Sequence, residues 1–322
     1  MTALAFATGR VARTDSPFAR EVLTGLMRRT KRVPGTWLYD HRGSELFEDI
    51  TDLAEYYPTR AEIRILERFA PELGALAGPR ATVVEFGSGS NRKTPLLISA
   101  LDRPGLYLPV DISAQFLVES VGALKRVFPR LPVQPVIADF TTMSQLALPP
   151  SAFGRRVGFF SGSTIGNFTP DAAANLLSRF GRLLGPGSLL LVGADGTQDP
   201  ARLLPAYDDA RGITAAFNRN LLLRINRELA GEFALEDFRH EARWDAQDRC
   251  VEMHLVSQRS HSVALLGQSI DFAEGESIHT ESAFKFGALR FQAIARNAGW
   301  NTRRVFSESA SQFNVYLLER PA

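Results

Sequence analysis

The sequence reads as a doubly wound α/β core joined to a smaller α+β portion, on three grounds. Between positions 81 and 195, apolar β-branched runs alternate with helix-length segments, as right-handed βαβ crossovers in a mostly parallel sheet require. The first of these runs, VVEF, leads into a loop of small residues, GSGSNRKT, from which a helix opens. Near Asp199 the alternation breaks, and it resumes only at position 284.

Taken in order, the first 60 residues contain no clear strand but two helices, Pro17 to Arg29 and Ser44 to Asp52, with the aromatic stretch WLYDHRGSELF between them. From Thr59 the spacing of Ile63, Leu66, Phe69 and Leu73 predicts a helix that leads into strand 81–86. A helix over 94–101, a strand ending at Asp111 and a helix over 113–127 follow. Strands over 133–140 and 156–162, a helix over 170–184 and a strand over 188–195 complete the first run. Beyond Asp199, residues 201–229 read as two helical segments, and CVEMHLVSQ with SHSVALLG reads as an antiparallel pair. FKFGALRFQAIARNAGW restores a strand and a helix, and strands near 302–306 and 313–319 end the chain. The expected division is 61–198 with 284–322 as the core, and 1–60 with 199–283 as the accessory domain.

Composition narrows the function. Thirty-seven basic and 35 acidic residues leave a net charge of +2, a near balance that implies no nucleic-acid partner. The single cysteine, Cys250, excludes an internal disulfide framework and a cysteine-based zinc cage, and the five histidines lack paired ligand spacing, so no metal is expected. MTALAFATGRVARTD lacks the long apolar segment of a secretory signal, and no apolar run is long enough to span a membrane. A cytoplasmic monomer is the expectation.

Three kinds of cofactor loop begin as VVEFGSGSNRKT does. A phosphate loop requires glycine before its lysine so that the backbone can wrap a phosphate, and Arg92 stands there. A dinucleotide loop requires a third glycine, which Arg92 again replaces, although Asp111 ends the next strand where a ribose-binding acid belongs. Glu85, two residues before Gly87, would repel a pyrophosphate but suits a cationic sulfonium and ammonium. EFGSGS, with Glu85, Gly87, Ser88 and Gly89, therefore resembles the first motif of Rossmann-like methyltransferases. Asp111 is then the acid for the ribose hydroxyls, and Asp139 with Phe140 ends the third strand where the adenine is held. Acids at strand ends also serve as helix caps, so it is the three in order beside a glycine loop that carry the reading.

With these residues in place, the chain resembles the histidine Nα-methyltransferases of ergothioneine biosynthesis over nearly its whole length. WLYDHRGSELFEDIT, EYYPTR, VVEFGSGSNRKT, PVDIS, ADF, GSTIGNFTP, AYDDARGITAAFNRN, VEMHL and TESAFKF carry the resemblance. It implies S-adenosyl-L-methionine as cofactor, held by Gly87, Lys93, Asp111, Asp139 and Phe140. It implies L-histidine as substrate and its Nα-trimethyl betaine, hercynine, as product. Tyr56, Asn167 and Tyr207 match residues that bind the amino acid, Asn167 and Tyr207 through its carboxylate, while Tyr39 and Gly162 line the pocket. Glu281 matches the acceptor for the imidazole N–H, and Met253 a position that selects the side chain. Tyr39, or a water near Gly162 and Asn167, is the expected proton acceptor. Read alone, the tyrosines are core aromatics, Met253 a gap-filler and Glu281 a strand-end acid.

One departure leaves the substrate open. The histidine enzymes of the family that this chain resembles commonly carry serine two residues after the glutamate, and the position here is Ala283. Losing such a hydrogen bond costs about 1 kcal/mol, roughly fivefold to tenfold in affinity. Another aromatic α-amino acid, tryptophan-like, is the alternative substrate, and a non-catalytic S-adenosylmethionine-binding protein on the same fold is the alternative class.

Overall fold

The computed structural model describes residues 15–89, 92–149, 152, 154–308 and 311–322. Most of the N-terminal stretch read above, and Ser90 and Asn91 of the glycine loop, lie outside the described residues.

The chain opens with α1 (Pro17–Leu26), the two-residue strand β1 (Lys31–Arg32), α2 (His41–Thr51) and α3 (Tyr57–Ala77). Ser16 and Asp40 cap α1 and α2 by accepting the backbone N–H of Ala19 and Gly43. There follow β2 (Thr82–Phe86), α4 (Thr94–Ala100), β3 (Leu106–Asp111), α5 (Ala114–Val127), β4 (Val136–Ile137), β5 (Arg156–Phe160), α6 (Pro170–Leu184) and β6 (Leu189–Asp195). The inserted portion comprises α7 (Pro200–Tyr207), α8 (Ile213–Leu229), β7 (Phe238–Asp245), β8 (Cys250–Ser257), β9 (His261–Leu265) and β10 (Gln268–Phe272). Then come β11 (Ser277–Phe284), α9 (Ala288–Asn297), β12 (Asn301–Ser307) and β13 (Phe313–Glu319).

Seven strands form the main sheet in the order β12-β13-β6-β5-β2-β3-β4. β2 through β6 run parallel, and β13 inserts antiparallel between β6 and β12. This is the expected doubly wound, Rossmann-like sheet, and the chain reverses beside β2, whose C-terminal end is therefore the natural ligand crevice. One apolar cluster places Ala61, Ile65 and Leu66 of α3 against Val83 and Val157. Another places Leu177 and Phe180 of α6 and Phe291 of α9 against Val84 and Leu190. A second sheet, β1-β11-β8-β7, packs over a third cluster, to which α1, α2 and α8 contribute Val22, Ile50 and Phe217. No helix among the described residues is long and apolar enough to cross a membrane.

Three local expectations are corrected. The strand expected over 133–140 contracts to two residues, because Pro132 and Pro135 remove ladder donors at the edge of the sheet. CVEMHLVSQ does not pair with SHSVALLG: β8 lies between β7 and β11, and β9 pairs with β10 through a tight turn. In that turn Leu266 and Gly267 have φ of 48° and 76°, the twist of a two-residue hairpin loop. The strand expected to begin at Phe284 instead ends there, as β11.

Candidate functional site

Two cavities meet beside the C-terminal ends of the parallel strands. Phe47, Thr164, Asn167 and Glu281 line both. The larger cavity encloses about 570 Å³, and Gly87, Gly89, Asp111, Asp139, Phe140 and Tyr39 are in its wall. The smaller, about 40 Å³, is lined by Tyr56, Gly162, Asn167, Tyr207, Met253 and Glu281 among others. A separate open groove beside α1, lined by Arg20, Arg28 and Arg32 among others, contains none of the candidate residues.

Gly87 and Gly89 have φ of 72° and 44°, a left-handed backbone that favours glycine and lets the loop turn tightly out of β2. Asp111 ends β3, accepts the Ser113 N–H at 2.9 Å on Oδ1 and, at a longer 3.4 Å, the Gly89 N–H on Oδ2. Burial raises its carboxyl above the ordinary range. Asp139 accepts the backbone and hydroxyl of Thr141 on Oδ1 alone, at 2.8 and 2.6 Å. Phe140 is held edge-on to Phe160, ring centres 5.5 Å apart.

Glu85 faces away from this cavity. It is buried, and its Oε2 accepts from Thr94 Oγ1 at 2.8 Å and Tyr107 OH at 2.6 Å, tying α4 and β3 to β2. Burial pushes it up to about 7. Ser88 is buried and lines neither cavity. Lys93 also lies behind the wall, where its Nζ donates at 2.7 Å to Glu62 Oε2, an oxygen that also accepts the Gly162 N–H at 2.7 Å. Gly162 has φ of 78°, and a Cβ there would come within 3.3 Å of Lys93 Nζ. Glu62 carried no motif signal, yet it joins the glycine loop to the turn after β5.

Glu281 reaches the junction of the cavities through a β-bulge. His279 stands opposite His254, but Glu281, two residues later, stands opposite Met253. A regular ladder would oppose Glu281 to Glu252 and turn it to the other face of the sheet; the extra residue, Thr280, re-aims it. Its Oε1 accepts from Asn167 Nδ2 at 3.1 Å and, at 3.5 Å, from Tyr39 OH. Asn167 gets this close because Gly166 lies against β11, where a Cβ would come within 2.7 Å of the Phe284 carbonyl oxygen. Tyr39 packs edge-on to Phe217, and Tyr56 edge-on to Tyr207. Burial raises all three phenols well above their ordinary range. Thr214, another residue without a sequence signal, lines the small cavity and donates its backbone N–H to Asp209 Oδ1 at 2.7 Å. Ala283 lies off both walls, packed with Leu203 and Val251 beside Tyr207.

Half-buried at the junction of the cavities, Glu281 is pushed up to about 8 by burial, from an ordinary 4.5. The folded state therefore binds this proton more tightly than the unfolded chain. The associated stability is present below the unfolded value and is lost as pH rises towards the folded one. Glu281→Gln removes the titration, so the melting temperature of the variant relative to wild type should be lowest near pH 5 and climb by several degrees towards pH 9. Thermal melts across that range check this, and a difference independent of pH would contradict it.

Residues 18–320 match the profile of a family described as "Histidine-specific methyltransferase, SAM-dependent". The chain is 40% identical over 306 residues to the histidine N-alpha-methyltransferase of Mycolicibacterium smegmatis, a match that covers 94% of each. It is also 40% identical over 303 residues to the protein of the same name from Mycobacterium tuberculosis, covering 92% of this chain and 93% of that one. Ergothioneine biosynthesis protein 1 of Neurospora crassa is 33% identical over 267 residues, which are 77% of this chain and 30% of that larger protein.

Proposed function

The chain belongs to the S-adenosylmethionine-dependent, histidine-specific methyltransferase family, and on that premise we propose that it converts L-histidine to its Nα,Nα,Nα-trimethyl betaine, as in ergothioneine biosynthesis. The observation that carries the substrate assignment is Glu281: an enclosed acid at the junction of the two cavities, with Oε1 already taken by Asn167 and Tyr39 and Oε2 available to an imidazole N–H.

The larger cavity fits the cofactor. Asp111 offers a carboxylate to a ribose diol, Asp139 Oδ2 and the Phe140 ring offer an acceptor and a face to an adenine, and the left-handed glycines let the backbone approach closely. When bound, S-adenosylmethionine supplies a methyl group already activated on a sulfonium. The protein then has to align the amine, for which positioning is the main contribution. Asn167 and Tyr207 would hold the α-carboxylate and Glu281 the ring. Tyr39, kept neutral by its raised phenol, orients the amine through hydrogen bonding and is a poor proton acceptor near neutral pH, which favours a water near Gly162 and Asn167 for that role.

Histidine is favoured over another aromatic amino acid because Glu281 on the wall of the second cavity can accept an imidazole N–H, and because Ala283 lies off that wall, so that its missing hydroxyl removes no wall group. In this proposal 61–198 with 284–322 bind the cofactor, and 1–60 with 199–283 bind the amino acid. The shared apolar cluster of Val22, Ile50, Phe217 and Ile278 supports the second grouping. A cytoplasmic monomer is part of the same proposal. Initial rates of S-adenosylhomocysteine release with histidine, tryptophan, tyrosine and phenylalanine test the substrate. Histidine should be fastest, and a faster rate with any of the others would overturn the choice.

A further inference from the structure

We propose that Lys285, which lines neither cavity, is a positioning residue that supplies the positive charge opposite the amino acid's carboxylate, acting through Tyr207. The inference rests on the histidine reading above. Among the described residues lining the small cavity there is no lysine or arginine, and Glu281, its one carboxylic acid, can supply no positive charge. A carboxylate entering such a pocket loses hydration and needs a compensating charge or strong donors.

Lys285 lies directly behind the wall. Its side chain is 1% exposed, its Nζ donates to Tyr207 OH at 2.7 Å, and the same atom stands 4.6 Å from the centre of the Tyr207 ring. Asp195, at the end of β6 and fully buried, lies 3.1 Å from Nζ. That acid also accepts from Tyr57 OH at 2.5 Å and from the backbone and hydroxyl of Thr197, so its charge is shared among several donors. Burial alone would raise Asp195, but Lys285 and these hydrogen bonds hold its carboxyl below the ordinary range.

The orientation of Tyr207 follows. Its oxygen already accepts from Lys285, and no acceptor for its own hydrogen stands among the described residues, while its phenol lines the small cavity. The O–H therefore points into the pocket as a donor, polarised by a cation behind it, and the raised phenol keeps its proton. Lys93, a half-buried cation nearby, is paired with Glu62 on a different wall.

The test compares histidine with histamine, which keeps the ring and amine but lacks the carboxylate, in calorimetric titrations with S-adenosylhomocysteine present. Lys285→Met leaves Asp195 buried without its cation, so it is paired with Asp195→Asn in a double variant. Tyr207→Phe, which keeps the Lys285–Asp195 pair, is measured beside it. Both variants should lose about tenfold or more in histidine affinity and less than about twofold in histamine affinity. Lys285→Arg should recover part of the loss. Equal weakening of both ligands, or unchanged histidine binding, would overturn the role of Lys285. If wild type itself fails to bind histidine, the functional reading falls and this inference falls with it.

Discussion

Replacing Glu281 by alanine is expected to weaken histidine binding roughly tenfold to a hundredfold, because leaving the imidazole N–H without an acceptor in an enclosed site costs about 1 to 3 kcal/mol. The same change leaves Asn167 Nδ2 and Tyr39 OH without their shared acceptor, which adds to the loss. Cofactor affinity should change by less than about twofold, since Asp111 and Asp139 stand elsewhere in the larger cavity. Titration of the variant with each ligand separately measures both numbers. Unchanged histidine affinity would remove the ring-anchoring role and with it the main reason for choosing histidine.

Asp111→Ala is the counterpart on the cofactor side. Two hydroxyls of a ribose would lose their common carboxylate, and the N–H groups of Ser113 and Gly89 would lose the acceptor that shapes the loop. A fall of roughly thirtyfold to three hundredfold in affinity for S-adenosylhomocysteine is expected. Asp111→Asn, which keeps one acceptor oxygen for the loop, should fall less. If Asp111→Ala binds as wild type does, Asp111 is a loop anchor alone.

The parallel core was legible because its strands are covered on both faces. TVVEF and LLLVGAD are buried at every position, and such strands read as unbroken apolar runs. β7, β10 and β11 were not legible, since FRHEARWD and SIHTESAF carry charged and polar residues along a partly exposed face. There Glu241 pairs with Arg243 on β7, and His279 bonds with Ser282 on β11, so the apolar alternation is faint.

The order of acids at the strand ends identified the larger cavity, with one error of direction. Glu85 points back into the fold towards Tyr107, and no spacing argument distinguishes the two faces of a strand buried on both. Glu281 was found through its motif, but what turns it to the pocket, the bulge at Thr280, leaves no mark in the sequence. Lys285 was hidden for a different reason. Between Phe284 and Phe286 it reads as a solvent-facing lysine, yet the chain there crosses from one sheet to the other. Its backbone N–H is bonded to the Arg249 carbonyl, and that of Phe286 to the Asp195 carbonyl, so its side chain is enclosed at the junction. Glu62 is likewise an acid on a helix face that tertiary packing alone buries.

The proposed reaction is repeated methyl transfer to the α-nitrogen of histidine. Mass spectrometry of histidine incubated with the purified protein and excess S-adenosylmethionine, with fragmentation to locate the added mass, tests it most directly. A species carrying three added methyl groups, all on the α-nitrogen, should accumulate. No gain in mass, or methyl groups on the imidazole ring, would contradict it.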